Sequence, residues 1–209
     1  MSMADLTVAV LVGGESTRFK AEKFLAKFQR KTLIAHMMNI AKSISPNVLV
    51  VTSSEEQAKS VRSVVSSAEV VVDPEESTKA PIIGALTAFE YSETSHTMLL
   101  PIDTPLANVY LLRALGDLAE GHGAVVPRWP SGYIEPLHSV YLTEHAYSKG
   151  LDLIAARRYR MQMLLDTMNR VIYVSTLVLQ RFDPDLLTFR NANTPKELLR
   201  LEGQAHRRS

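Results

Sequence analysis

Leu6-Thr-Val-Ala-Val-Leu-Val-Gly-Gly-Glu-Ser-Thr-Arg-Phe-Lys-Ala-Glu-Lys23 is the stretch that decides the fold. Its first seven residues are nearly unbroken in β-branched and aliphatic side chains. A strand buried on both faces of a parallel sheet needs that composition, because helices cover it above and below. The run stops at two glycines and a polar, charged loop, so the strand empties into a segment fit for a ligand. Ligands in open α/β sheets bind beyond the carboxyl ends of the strands.

Working outward, the same kind of strand recurs at 48–52, 69–73, 97–101 and 124–127. Segments with apolar residues at helical spacing separate them at 33–43, 55–66, 82–91 and 107–119. Strand and helix alternate through residue 127, which predicts an α/β chain: one three-layer α/β/α sandwich on a mostly parallel, Rossmann-like sheet. Beyond Pro127 the rhythm changes. A turn-rich loop, Arg128-Trp-Pro-Ser-Gly132, leads into an expected strand over 133–141. Helices are expected near 143–157 and 161–169, a strand at 170–175, and a last helix opened by Pro195 and running through Leu201. The sequence therefore reads as one domain over 1–209. Residues 3–127 form a nucleotide-binding half, 128–202 an acceptor-binding half, and 203–209 a polar tail.

Bulk properties narrow the function classes. With 23 Lys+Arg against 22 Asp+Glu, the net charge of +1 gives no electrostatic case for nucleic acid or an anionic membrane. The absence of cysteine rules out disulfides, thiolate metal sites and a cysteine nucleophile. No apolar run approaches the roughly 20 residues that span a bilayer. The start, Met1-Ser-Met-Ala-Asp5, lacks the basic and apolar regions of a secretory leader. A cytoplasmic protein is the expectation.

The loop after the first strand carries phosphate chemistry. Gly13 and Gly14 lack Cβ atoms, so the backbone can bring N–H groups against phosphate oxygens. Ser16 and Thr17 add hydroxyl donors, and Arg18 and Lys23 place two cations five residues apart. Such a pair suits a triphosphate whose charge must be neutralised before attack. The loop is neither a Walker loop, which needs a second glycine and Lys-Ser/Thr, nor the G-x-G-x-x-G of dinucleotide binding. Farther on, Pro101-Ile-Asp-Thr-Pro105 sends Asp103 off the end of a central strand. That carboxylate can hold Mg²⁺, which asks a protein for one or two carboxylates beside phosphate and water. It can equally cap the following helix.

Leu11-Val-Gly-Gly-Glu-Ser-Thr-Arg-Phe-Lys-Ala-Glu-Lys23 resembles the L-A-G-G-x-x-x-R-M-G-x-D-K signature of the molybdenum cofactor guanylyltransferases, the MobA-type family. Three further segments fall in that family's order. Pro101 to Pro105 is similar to its metal-binding P-x-D-T/M-P motif, Glu135-Pro-Leu-His-Ser-Val-Tyr141 to its H-P-L-F/H-A-L/V-Y segment, and Asn191-Ala-Asn-Thr-Pro195 to its N-x-N-T-P turn. The resemblance implies the nucleotide-diphospho-sugar transferase fold and transfer of GMP from GTP to a molybdopterin-type acceptor, with pyrophosphate released. It implies Mg²⁺, with Mn²⁺ as a substitute, and passing contacts with cofactor-biosynthesis or molybdoenzyme partners.

The resemblance carries roles onto residues. Arg18, Lys23 and Asp103 are the expected catalytic groups. Leu11, Val12, Gly13, Gly14, Ser16, Thr17, Arg18, Lys23, Ser54, Asp73, Pro81, Gly84 and Asp103 are the expected nucleotide contacts. His138, Asn191 and Asn193 face the acceptor, and Asp103 with Asn193 holds the metal. For His138 a buried structural role, and for the two asparagines helix capping beside Thr194, compete with these assignments. The chain departs from the pattern at Val12, Lys20, Ala80 and Glu135. Thr52-Ser-Ser54 also stands where the family has an asparagine that contacts the base. The alternatives are a related transferase with another base or acceptor, of cytidylyl or phospholactate type, and a noncatalytic nucleotide-binding homologue.

Overall fold

The computed structural model describes residues 5–13, 22–66, 68–75 and 77–205. Its centre is a seven-stranded sheet built from β1 (Leu6–Leu11), β4 (Asn47–Thr52), β5 (Glu69–Val72), β6 (His96–Pro101), β7 (Ala124–Arg128), β8 (Val140–Leu142) and β9 (Val171–Ser175). The strand order is β5-β4-β1-β6-β8-β7-β9. All pairs are parallel except those of β8, which runs antiparallel to both β6 and β7. A small antiparallel ribbon, β2 (Lys27–Phe28) with β3 (Lys31–Thr32), stands apart.

The apolar composition of β1 works as expected. Every residue of the strand is buried, and its side chains alternate between two cores. Leu6, Val8 and Val10 join one core with Leu33 and Met37 of α1 (Leu33–Ile44), Leu111 and Leu115 of α4 (Val109–Asp117), and Leu198 of α8 (Pro195–Ala205). Ala9 and Leu11 face the other, with Ile82 and Leu86 of α3 (Pro81–Tyr91), Ala146 of α5 (Thr143–Ala155) and Leu164 of α6 (Met161–Thr167). Helices therefore cover both faces of a mostly parallel sheet, the α/β/α sandwich that the alternation predicts. Strands of both halves belong to that single sheet.

One expected element is corrected. Instead of a strand over 133–141, the chain makes an isolated bridge between Arg128 and Ile134, a 3₁₀ turn at Pro136–His138 and only then β8. Proline has no N–H to give, and β8 is paired on both sides, so the ladder cannot extend back through Pro136. The turn this creates lifts Glu135 and His138 out of the sheet and toward the carboxyl ends of its parallel strands. The ribbon β2–β3 and the short α7 (Thr176–Leu179) are also elements that apolar periodicity does not announce.

Candidate active site

Backbone hydrogen bonds carry the sheet pattern one residue past several strand ends. Val12 N donates to Val51 O at 2.8 Å, Ile102 N to Leu11 O at 3.0 Å, and Asp73 N to Thr52 O at 2.8 Å. The loops after β1, β6 and β5 therefore leave the sheet from fixed positions. They wall a cleft of about 1100 Å³, a size that fits a nucleotide and a second ligand. Leu11, Val12, Gly13, Lys23, Ser54, Asp73, Pro81, Gly84, Asp103, His138, Asn191 and Asn193 all line it. Gly14, Ser16, Thr17 and Arg18, with Lys20, lie outside the described residues.

At one side of the cleft Lys23 Nζ donates to Asp103 Oδ2 at 2.9 Å and to Asn193 Oδ1 at 3.2 Å. Lys23 and Asp103 are largely buried, with side chains 12% and 17% exposed. Ala192 N donates to Asp103 O at 2.8 Å and ties the asparagine turn to the aspartate loop. The competing roles separate here. Thr194 Oγ1 accepts from Glu197 N at 3.2 Å and opens α8, so Thr194 is the cap. Glu197 Oε2 accepts from Asn193 N at 2.7 Å, which leaves the Asn193 amide oxygen to face the cation. Asp103 likewise does not cap α4; Asn108 does, accepting from Tyr110 N and Leu111 N.

Toward β4 and β5 the cleft changes character. Asp73 Oδ1 accepts from Thr87 Oγ1 at 2.7 Å. Burial pushes the Asp73 carboxyl above its ordinary value, and the Thr87 hydroxyl opposes this in part. α3 begins at Pro81, which has no N–H, with no side-chain cap, and Ile83 N donates to Ala80 O at 3.0 Å. A Cβ at Gly13 or Gly84 would come no nearer than 3.8 Å to any neighbour, and neither has a positive φ. The protein alone does not require glycine at either position.

Two residues escaped the sequence reading. Gln57, in the first turn of α2 (Glu55–Val64), lines the cleft, and its Oε1 accepts from Ser53 N at 3.2 Å and Ser53 Oγ at 3.0 Å. Its signal was Ser54-x-x-Gln57, a capping-box spacing right after a strand. Glu135, noted only as a departure, also lines the cleft. Its Oε1 accepts from Trp129 Nε1 at 2.8 Å, and its Oε2 lies 3.7 Å from His138 Nδ1. His138 is 2% exposed, hydrogen-bonds Thr104 Oγ1 through Nε2 at 3.2 Å, and packs edge-on against Phe189. It belongs to the floor of the cleft. Trp129 is the support of Glu135, while Arg157, Arg158 and Arg160 do not line the cleft.

The chain is similar to known proteins over most of its length. The model of the MobA-like NTP transferase domain matches residues 8–171. A Methanosarcina mazei protein named "Probable molybdenum cofactor guanylyltransferase" is 28% identical, over 94% of this chain and 89% of its own. A Methanothermobacter thermautotrophicus protein of the same name is 30% identical, over 95% of this chain and 99% of its own. The crystal structure of molybdopterin-guanine dinucleotide biosynthesis protein A from Archaeoglobus fulgidus superposes with a TM-score of 0.81 at 28% identity. That match covers 96% of this chain and 99% of the other.

Proposed function

The chain belongs to the MobA-like NTP transferase family, and on that premise we propose that it transfers GMP from GTP to a phosphorylated, molybdopterin-type acceptor with Mg²⁺ as cofactor. The observation that carries this reading is the cation held between Asp103 Oδ2 and Asn193 Oδ1, where the Lys23 ammonium stands. Two oxygen ligands from different parts of the chain already converge there on a positive charge. One carboxylate and one amide oxygen suit Mg²⁺, which draws its other ligands from phosphate and water. Among the described residues no group of three or more His, Asp or Glu could hold a metal, which fits a site completed by substrate. When bound, the ion would polarise the α-phosphate and neutralise charge that builds up on the leaving pyrophosphate.

In this reading an oxygen of the acceptor phosphate attacks the α-phosphorus of GTP. A bond from that oxygen to phosphorus forms, the bond to the β-phosphate bridging oxygen breaks, and pyrophosphate departs with the electron pair. The acceptor phosphate is ionised near neutral pH, so the chain need not supply a strong base. Lys23 turns from Asp103 and Asn193 to the polyphosphate, where its charge stabilises the transition state. Gly13 lets the backbone approach the phosphates. Asp73 accepts hydrogen bonds from the nucleotide, and Pro81 and Gly84 shape the wall beside it. Residues 3–127 thus serve GTP, while 128–202 bring Glu135, His138, Asn191 and Asn193 to the acceptor. No helix among the described residues is long and apolar enough to cross a membrane.

The test is pyrophosphate release from GTP by the full chain, with molybdopterin-loaded acceptor and Mg²⁺. Turnover that requires both, and that Asp103→Ala abolishes without altering the circular dichroism spectrum, is the expected result. GTP binding with no product under any acceptor and metal condition would sink the reading.

A further inference from the structure

The loop after β4 lacks the asparagine that the resemblance led us to expect, yet the cleft there holds an amide. Gln57 reaches it from one turn inside α2, and the hydrogen bonds around it determine which way the amide faces. Ser53 N is a backbone N–H, which can only donate, so the Gln57 atom 3.2 Å away must be the oxygen. Ser53 Oγ donates to the same oxygen at 3.0 Å. Ser54 Oγ meanwhile accepts from Gln57 N at 3.3 Å and fixes the backbone of that turn. The oxygen is thus engaged twice. The Nε2 group keeps two N–H donors, for which no acceptor occurs among the described residues, and the side chain lines the cleft.

Position says which part of a nucleotide meets it. The cation site of Asp103 follows β6, while Gln57 stands above the end of β4. β1 alone lies between these strands, so the two sites are about 10 Å apart across the sheet. That separates a reacting phosphate from its own base. Leu11 and Val51, which come within van der Waals reach of a Cβ at Gly84, floor the intervening space with apolar surface suited to a ring.

We infer that Gln57 selects the base, favouring an oxo edge over an amino edge. The inference rests on the nucleotidyl-transfer reading above and adds a residue and a rule of selection to it. Guanine presents O6 and N7, two acceptors side by side, and hypoxanthine presents the same pair. Adenine puts an amino donor where guanine has O6, and cytosine puts one where uracil has O4. A donor-only amide pairs with the first kind and faces a like dipole in the second. The capping contact to Ser53 is what makes it donor-only, because it stops the amide from flipping to suit an amino base.

The experiment measures dissociation constants of GTP, ITP, ATP, UTP and CTP for the full chain with Mg²⁺, by titration calorimetry. ITP against ATP and UTP against CTP isolate oxo from amino at nearly constant shape. The wild-type chain is expected to favour the oxo member of each pair by about tenfold or more, one hydrogen bond's worth of discrimination. Gln57→Glu keeps an oxygen for Ser53 and turns its other oxygen, an acceptor, to the base. It is expected to collapse or invert both ratios while the apo melting temperature stays near wild type. A role confined to capping α2 predicts instead that all five nucleotides weaken together. Ratios within twofold in the wild type, or ratios that Gln57→Glu leaves unchanged, overturn the inference while nucleotide binding itself survives. If no nucleotide binds at all, the proposed function falls and the inference falls with it.

Discussion

The entrances of α2 and α8 use one device for two purposes. In each, a hydroxyl at the cap accepts from the third helical N–H: Ser54 from Gln57, Thr194 from Glu197. In each, the side chain at that third position reaches back past the cap to the N–H of the residue before it: Gln57 to Ser53, Glu197 to Asn193. The difference lies in what remains after the cap is made. At α2 the leftover group is the Gln57 amide nitrogen, a donor on a residue that lines the cleft. At α8 it is the Asn193 amide oxygen, an acceptor on the Lys23 cation. Capping immobilises the ligand-facing group at both ends, and the choice of glutamine or glutamate decides which residue offers it. One entrance suits a base edge and the other a cation.

The largest effect expected of any change is at the cation end. Asp103→Ala removes the carboxylate that anchors Lys23 and the proposed metal. Turnover should fall by about a thousandfold or more, while stability falls by about 3 kcal/mol, because Lys23 loses the carboxylate of a largely buried ion pair. Initial rates and a thermal melt check both. The pair Ser54→Ala and Thr194→Ala tests the comparison directly. Each loses a cap and should lose about 0.5–2 kcal/mol of stability, but the functional losses should differ. Ser54→Ala is expected to blur the ranking of nucleotides with the Mg²⁺ half-saturation unchanged. Thr194→Ala should raise the Mg²⁺ requirement and leave the ranking intact. If both alter the same parameter, the two entrances are not specialised as described.

A subtler change is Gly13→Ala. A Cβ there meets nothing nearer than 3.8 Å, so the apo protein should melt as wild type does. GTP binding should weaken about tenfold by calorimetry, because a side chain would intrude where phosphate approaches the backbone. Unchanged affinity would remove the loop from the phosphate site. The smallest effect belongs to Asp73→Asn. Burial holds the Asp73 carboxyl above its ordinary value of 3.8, so the folded chain binds that proton more tightly than the unfolded chain. Stability therefore falls as pH rises from the ordinary value through the folded one, and stays lower beyond it. Asparagine avoids this cost. The variant should melt slightly above wild type at neutral pH, converge with it below about pH 3.8, and bind GTP less well. A melting curve series against pH decides the sign.

Much of this was legible in the order of residues. Short, continuous apolar runs such as 6–12, ended by glycines and separated by segments of helical period, read as strands covered on both faces, so the layered sheet follows from the hydrophobic effect. Glycine, lysine and aspartate at the ends of those runs mark the cleft, because strand ends are where an α/β sheet leaves space. Pro136 was legible too, though its consequence was not: a proline forbids a ladder bond only once the strand's neighbours are known, and they come from β6 and β7, far away in the chain. The other site residues came from the family resemblance; Gln57 and Glu135 did not, because nothing local says which face of a turn meets a cleft. The sequence alone determined the sandwich and the types of group at its strand ends. Only the tertiary structure decided that Lys23 stands between Asp103 and Asn193, and that the Gln57 oxygen is committed to Ser53. Hydrogen-bond direction and charge pairing depend on partners that folding brings within 3 Å or so, and no local pattern encodes them.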